Sequence, residues 1–254
     1  MKFNKPTILF LILGSFFITN ALVAEFIGVK IFSFENSIGF KKFDWNILGF
    51  EHLSLELTCG VLLWPVVFIM TDIINEYYGK KGIKILSYIA AAMISFSFLA
   101  VFTAMHTSPA EWWVGSGSEK NISNMQNAYT AIFGQGLWII IGSLLAFLVG
   151  QIIDVTVFHW LKKKSGEKNL WLRSTGSTLV SQLIDSFIVL FIAFYIGNNW
   201  TLEQVLAICT VNYIYKFSVA VLLTPFLYLI HYAIDNYLGK DLAAKMLKHA
   251  AGEE

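Results

Sequence analysis

Ionisable side chains stand inside stretches of this chain that are otherwise apolar enough to lie in a lipid bilayer. They are four carboxylates and two bases: Asp72, Glu76, Asp154, Asp185, Arg173 and Lys216. An ionisable side chain at the bilayer centre costs about 2.5–3.5 kcal/mol on insertion scales, so such residues usually face a bundle interior or a watery cavity. They therefore predict a polar cavity inside a helical membrane protein, which is typical of a transporter for a polar solute.

The composition favours a membrane protein and excludes several other classes. Of 254 residues, 56% are hydrophobic and 14% are charged, whereas a soluble domain carries about 25% charged residues. A net charge of +1 without a basic stripe argues against nucleic-acid binding. No phosphate-binding loop, nucleophile elbow or zincin pattern occurs, so we expect no cofactor and no metal site. Cys59 and Cys209 are interpreted as packing residues, and histidines such as His159 and His231 as interfacial.

Six apolar runs reach the roughly 20 residues that a spanning helix needs. The predicted spans cover about residues 7–29, 53–77, 83–105, 137–161, 172–196 and 202–230. The sequence thus predicts an all-α integral membrane six-helix bundle, with residues 1–254 forming a single transmembrane domain. A short extra helix is expected at 128–133, before the glycines of Gly134-Gln135-Gly136. The first span also has the basic start and small residues of a cleaved signal peptide, an alternative that would leave five spans.

Basic residues collect in alternate loops of the six-span arrangement. They lie at 2–5, 80–84, 162–168 and 240–248, whereas lysines in the other loops are partly offset by acidic residues. Short cytoplasmic loops carry an excess of lysine and arginine. We therefore expect both termini to be cytoplasmic.

Three polar residues near the end of span 2 share one helix face. Asp72, Asn75 and Glu76 stand at i, i+3 and i+4, and Lys80 is expected to continue that face one turn later. Gly79 is expected to end the helix. The plainer alternative is a solvated helix end in which Glu76 pairs with Lys80.

Spans 4 and 5 carry polar residues at a depth that matches those of span 2. Lipid cannot solvate Gln151 and Asp154, so both should face the bundle, where joining helices by hydrogen bonds is the structural alternative. Arg173, the only arginine, opens span 5, and its planar fork suits a bidentate carboxylate bond or a ring rich in carbonyl groups, whereas the plainer alternative is a positive-inside anchor at the cytoplasmic end. Ser177 and Gln182 then descend towards the middle of the span. We predict that these residues converge on one cavity nearer the cytoplasmic face.

Lys216 lies near the middle of span 6, too deep to reach either surface easily. Spans 5 and 6 are joined by a short loop and should be neighbours. Pairing with Asp185 would offset the desolvation of the lysine, in a purely structural or a coupling role. The alternative partners are Asp154 or helix carbonyl groups.

These motifs together resemble a known family. The run Thr71-Asp72-Ile-Ile-Asn75-Glu76-Tyr-Tyr-Gly79-Lys80, with Asn20, Gln151-Ile-Ile-Asp154, Gln182-Leu-Ile-Asp185 and Tyr215-Lys216, is similar to the signature of the queuosine precursor transporters. The resemblance covers about residues 7–235. Family members often have an Arg-Asn pair where this chain has Arg173-Ser174.

The resemblance implies an inner-membrane secondary transporter that imports a 7-deazaguanine base or queuine, and not an enzyme. The residues expected to bind substrate, in a cavity between spans 2, 4, 5 and 6, are Asn20, Asp72, Asn75, Glu76, Gln151, Asp154, Arg173, Ser177, Gln182, Asp185 and Lys216. The partners expected are this small molecule and membrane lipid, without nucleic acid, and a homodimer is the assembly considered.

Two alternatives stay open at this point. The chain could be a substrate-capture subunit that needs a separate energising module, since it has no ATP site of its own. It could also be an integral-membrane enzyme that uses the aspartate and glutamate residues for acid–base chemistry.

Overall fold

The computed structural model describes residues 4–134, 136–165 and 169–251. Its helices are α1 (Lys5–Ile27), α2 (Phe34–Ser37), α3 (Trp64–His106), α4 (Glu111–Val114), α5 (Met125–Phe133), α6 (Leu137–Ser165), α7 (Leu170–Leu190), α8 (Leu202–Leu238) and α9 (Lys240–Ala251). Short 3-10 turns lie at Cys59–Leu62 and Ser118–Lys120, and a π-helical segment, Phe191–Ile196, continues α7. Lys2, Gln135 and Lys168, which the sequence analysis used, lie outside the described residues.

Five helical segments of the described chain are long and apolar enough to cross a membrane. They are Lys5–Ile27, Trp64–His106, Met125–Ser165, Leu170–Ile196 and Leu202–Leu238. The prediction of an all-α membrane protein is therefore confirmed. The predicted short helix at 128–133 is α5, which begins slightly earlier and is followed by Gly134.

The chain reverses direction inside α3, at Gly79. This residue has φ 65° and ψ −173°, a backbone conformation that glycine adopts without the penalty of a Cβ atom. Just before it, the Tyr78 hydroxyl donates a 2.7 Å hydrogen bond to the Pro6 carbonyl, at the start of α1. Later, the Phe98 ring lies 6.0 Å from that of Phe26, at the end of α1. The second half of α3 therefore runs parallel to α1.

The first half of α3 runs the opposite way. The segment that leads into it begins beside the end of α1, where the Cys59 amide donates to the Lys30 carbonyl at 2.8 Å. The predicted start of span 2 at residue 53 is wrong, because strands and a 3-10 turn occupy that stretch. The helix begins at Trp64, and Pro65 suits its first turn, where the missing amide hydrogen costs nothing.

Residues 31–58 form a small cap that the helical patterns did not predict. Strands β1 (Ile31–Ser33) and β4 (Glu56–Thr58) pair antiparallel, as do β2 (Trp45–Ile47) and β3 (Phe50–Leu53). Glu35 is buried within the cap and accepts hydrogen bonds from the amides of Leu55 at 2.8 Å and Phe43 at 3.4 Å. Burial alone raises the pKa of Glu35, but the hydrogen bonds that its carboxylate accepts outweigh burial and lower the pKa below its ordinary value. The cap packs on α8 through Leu55 and Tyr215.

The main apolar core joins α1 to both halves of α3 and extends to α6, α8 and α9. Phe17 of α1, Ile73 and Ile83 of α3 are completely buried within it. Helix α9 packs against the reversal in α3, so that a Cβ atom on Gly79 would lie 3.1 Å from the Ala250 carbonyl oxygen. The glycine thus permits both the turn and the close approach of α9.

Candidate functional site

A cleft opens between the first half of α3, α7 and α8, and we call it the central cleft. One wall is apolar and aromatic, with Trp64 and Phe68. The polar side chains of its lining are Asp72, Ser174, Thr175, Thr178, Gln182, Lys216 and Thr224. An apolar cavity with a few polar groups is the usual form of a small-molecule site.

Two buried groups in this wall have no hydrogen-bond partner within the described chain. Ser174 donates to Oδ2 of Asp72, whereas Oδ1 of the same carboxylate is unpartnered. Nε2 of Gln182 is unpartnered too. Because buried polar atoms are nearly always hydrogen-bonded, one free acceptor and one free donor in the same cleft are what a bound ligand would satisfy.

The predicted ion pair between spans 5 and 6 is confirmed. Lys216 Nζ lies 2.7 Å from Asp185 Oδ2, and the two side chains are only 11% and 19% exposed. The alternative partner, Asp154, instead accepts a hydrogen bond from Ser181 at 3.2 Å. Of the two residues, only Lys216 belongs to the lining of the central cleft.

A second charged cluster centres on Glu76, next to the cleft but outside its lining. Arg173 donates from Nη2 to Oε1 at 2.7 Å and from Nε to Oε2 at 3.2 Å, so of the options left open for this arginine the structure shows the bidentate carboxylate bond. Lys162 Nζ donates to Oε1 at 3.1 Å. The alternative of a solvated helix end, with Glu76 paired to Lys80, is wrong, because Glu76 is buried and pairs with Arg173 and Lys162. Arg173 is buried and so is not an anchor at the surface.

Asn75 and His159 extend this buried network. Nε2 of His159 lies 2.8 Å from Oδ1 of Asn75, and both side chains are buried. The interpretation of His159 as interfacial is wrong, because α6 continues to Ser165 and places the histidine within the bundle. The ring of Phe158 lies 5.9 Å from the Arg173 guanidinium.

The other predicted site residues lie apart from the central cleft. Gln151 lines a second cleft, between α6 and the second half of α3. Asp154 is fully buried, with Oδ2 unpartnered among the described residues. Asn20 donates to the Phe16 carbonyl of its own helix at 2.9 Å. Ser177 likewise donates to a carbonyl of its own helix, at 3.0 Å. Substrate contact by each of these residues stays a prediction.

Sequence reasoning missed Ser174, Lys162 and Glu25. Ser174 reads as a departure from the family pattern, and Lys162 as one of several lysines in a cytoplasmic loop. Glu25, near the end of α1, is buried and accepts a hydrogen bond from Ser143 at 2.9 Å. The position of Glu25 inside an apolar run could have predicted that its carboxyl group is buried and partnered. Residues 4–134, 136–165 and 169–251 contain no group of three or more possible metal ligands.

Comparison with known proteins gives consistent matches. A family model described as "Putative vitamin uptake transporter" matches residues 58–230, a stretch that includes the whole lining of the central cleft. The "Probable queuosine precursor transporter" of Bacillus subtilis (strain 168) is 33% identical over 190 residues, which is 73% of this chain and 76% of that protein. The "Queuosine precursor transporter" of Escherichia coli (strain K12) is 28% identical over 204 residues, 79% and 80% of the two chains. No solved structure gives a significant match.

These matches decide between a transporter and an enzyme. The family and both relatives are transporters, and five membrane-spanning segments make this chain a multi-pass membrane protein. The model match covers more than half of the chain and contains the motifs around Asp72, Asp154 and Asp185. The chain therefore belongs to the queuosine precursor transporter family.

Proposed function

We propose that this protein imports a queuosine precursor, a 7-deazaguanine base or queuine, across the inner membrane as a secondary transporter, with the substrate in the central cleft. The printed names of the relatives supply the substrate class. The observation that carries the assignment to this cleft is the pair of unpartnered groups, Asp72 Oδ1 and Gln182 Nε2, in a lining that also contains the aromatic residues Trp64 and Phe68.

The groups of the cleft complement a guanine-like ring. Such a ring presents adjacent N–H donors on one edge, which a carboxylate such as Asp72 accepts in a charge-assisted, bidentate manner. It also presents a carbonyl oxygen, to which Gln182 or Lys216 can donate. Trp64 and Phe68 lie on the apolar side, where aromatic rings favour stacking on a flat heterocycle.

The transport topology that we propose has six crossings and cytoplasmic termini. At 1.5 Å per residue, the 43 residues of α3 would measure about 65 Å as one straight helix, more than twice the roughly 30 Å of a bilayer core. The reversal at Gly79 divides them into two antiparallel segments, which accounts for two crossings. The lysines that follow the reversal, together with those of α6 and α9, favour the cytoplasmic side by the positive-inside rule.

Uptake of radiolabelled 7-deazaguanine bases tests this function. Cells that lack their own importer should accumulate label, and regain queuosine in their tRNA, when they express this protein. Asp72→Asn should weaken uptake roughly 10- to 100-fold at low substrate concentration, because a hydrogen bond to a charged group is worth about 1.5–3 kcal/mol. Asp44→Asn, in the exposed cap, is the matched control. Uptake that Asp72→Asn leaves unchanged would remove the cleft from the proposal.

The same substrate separates a complete transporter from a capture subunit. The purified protein alone in liposomes should carry the label into the lumen. Binding without transport, restored by a membrane extract, would identify a capture subunit with a separate energising module. Outward-facing reporters fused to the C-terminus would contradict the six-span topology.

A further inference from the structure

The second cleft lies between the second half of α3 and α6, and it shares no lining residue with the central cleft. It encloses about 620 Å³, its open side included. Its ionisable lining residues are Lys80, Lys84 and Tyr88, so no carboxylate contributes to its wall. The proposed route of transport makes no use of this cleft.

Two like charges converge here without a counterion. Lys80 and Lys84 stand four residues apart on one helix, a spacing at which like charges repel. Both are exposed, and neither forms an ion pair with any described residue. On α6, Lys162 is buried and donates to Glu76 at 3.1 Å. The anion that would balance Lys80 and Lys84 must therefore come from outside the described chain.

A buried amide adds a second, independent signal at the same place. Gln151 is 2% exposed and lies in the wall of the cleft. One end of its amide is held by the hydroxyls of Thr71 and Ser87, at 3.2 and 3.3 Å. The other end has no hydrogen-bond partner within the described chain. A polar group that is buried this far is normally hydrogen-bonded, so the amide nitrogen of Gln151 is a donor that a polar ligand in this cleft would satisfy.

The remaining lining is apolar and continues onto surfaces that face outward. Leu148, Ile152 and Val155 line the cleft on α6, and the exposed side chains Tyr88 and Ile152 flank its opening. A polar, basic end joined to an apolar groove matches a molecule with an anionic headgroup and acyl chains. Inorganic phosphate shares the headgroup chemistry but would leave the groove empty.

We infer that the second cleft binds an anionic phospholipid, with its phosphate at Lys80 and Lys84, its headgroup oxygens at Gln151, and its acyl chains along Ile152 and Tyr88. Basic pockets between membrane helices on the cytoplasmic side commonly take anionic lipid headgroups. The lipid would join the second half of α3 to α6 at the end of the bundle that carries the Glu76 cluster.

Native mass spectrometry of the full-length protein, titrated with phosphatidylglycerol or phosphatidylcholine, tests the site. At about 1 kcal/mol per lysine, two lysines should favour the anionic lipid about 30-fold. Lys80→Gln with Lys84→Gln should abolish that preference. Lys245→Gln with Lys248→Gln removes two exposed lysines from α9 and should keep it. Melting temperature in the two lipids reports whether each variant is folded.

Three results would overturn the inference. The first is equal affinity of the unmodified protein for the two lipids, and the second is an equal loss of lipid preference in both double variants. The third is competition by inorganic phosphate at concentrations near those of the lipid, which would identify a free-phosphate site. Gln151→Leu supplies a further arm, because it keeps both lysines and should lower the affinity for phosphatidylglycerol alone. None of these readouts requires transport, so they stand or fall separately from the proposed function.

Discussion

The ion pair between Asp185 and Lys216 gives the sharpest test of how this bundle holds its charges. The change is Lys216→Met, which keeps most of the side-chain volume and removes the ammonium group. Asp185→Asn removes the opposite charge, and the double variant removes both. The pair lies at 2.7 Å with its side chains largely buried, so solvent can replace a missing partner only in part.

The expected magnitude follows from that burial. Breaking a buried ion pair by removing one partner costs about 3–5 kcal/mol, because the other charge is left uncompensated, whereas replacing both partners by neutral groups is often close to neutral. At about 2–4 °C per kcal/mol for a chain of this size, each single variant should melt roughly 6–20 °C lower. The double variant should recover most of that loss.

Thermal unfolding of the purified protein in one detergent, followed by a thiol-reactive dye, measures the three shifts. The buried Cys209 provides a reporter thiol inside α8. Lys42→Met serves as the control, because Lys42 and Glu56 form an exposed ion pair at 2.5 Å whose loss should have no measurable effect. If the double variant melts as low as the sum of the single shifts predicts, the two charges do not compensate each other and the reasoning fails.

Three further predictions concern stability. Glu76→Gln should lower the melting temperature because it removes the buried carboxylate that pairs with both Arg173 and Lys162. Asp154→Asn, where no described cation pairs with the carboxyl, should raise the melting temperature or leave it unchanged, and the reverse order would contradict this account. Gly79→Ala should destabilise the protein more than Gly239→Ala. Both glycines have positive φ, a conformation that costs a residue with a Cβ atom about 1–3 kcal/mol, but only a Cβ atom at Gly79 would also meet the backbone of α9. Equal shifts in melting temperature would refute the contact with α9. Glu35 has a lowered pKa in the folded cap, so the stabilisation by its carboxylate is present above the unfolded-state pKa and is lost as pH falls through the folded-state pKa. Proteolysis of the cap should therefore increase on acidification. Glu35→Gln should abolish this pH dependence and leave proteolysis of the cap at the higher rate even at neutral pH.

The length of the apolar runs and the positions of the charges within them predicted much of the fold and part of the candidate site. Apolar runs identify the helices because a bilayer demands about 20 such residues. Depth within a span predicted the pairing of Asp185 with Lys216, since a buried lysine needs a local counterion. The planar fork of Arg173 made a bidentate carboxylate bond one of three options, and the structure shows that option. In each case the low polarity of the bilayer restricts what a local stretch of sequence, or a single charged residue, can do.

Other features depend on contacts that no local pattern records. Lys162 looks like one of several loop lysines, yet it reaches Glu76, 86 residues earlier in the chain. The face of Asp72 does not continue to Lys80, because a single positive φ at Gly79 turns the chain back. The cap at 31–58 consists of strands of three or four residues, too short for a period to be recognised.

The Glu76 cluster also constrains the order in which the protein can be assembled. Glu76 is synthesised 97 residues before Arg173. At about 5–20 residues per second, the carboxylate waits roughly 5–20 s for its arginine. An unpaired acid in lipid costs about 2.5–3.5 kcal/mol on insertion scales, so we expect the first half of α3 to enter the bilayer less readily during that interval than after α6 and α7 have emerged.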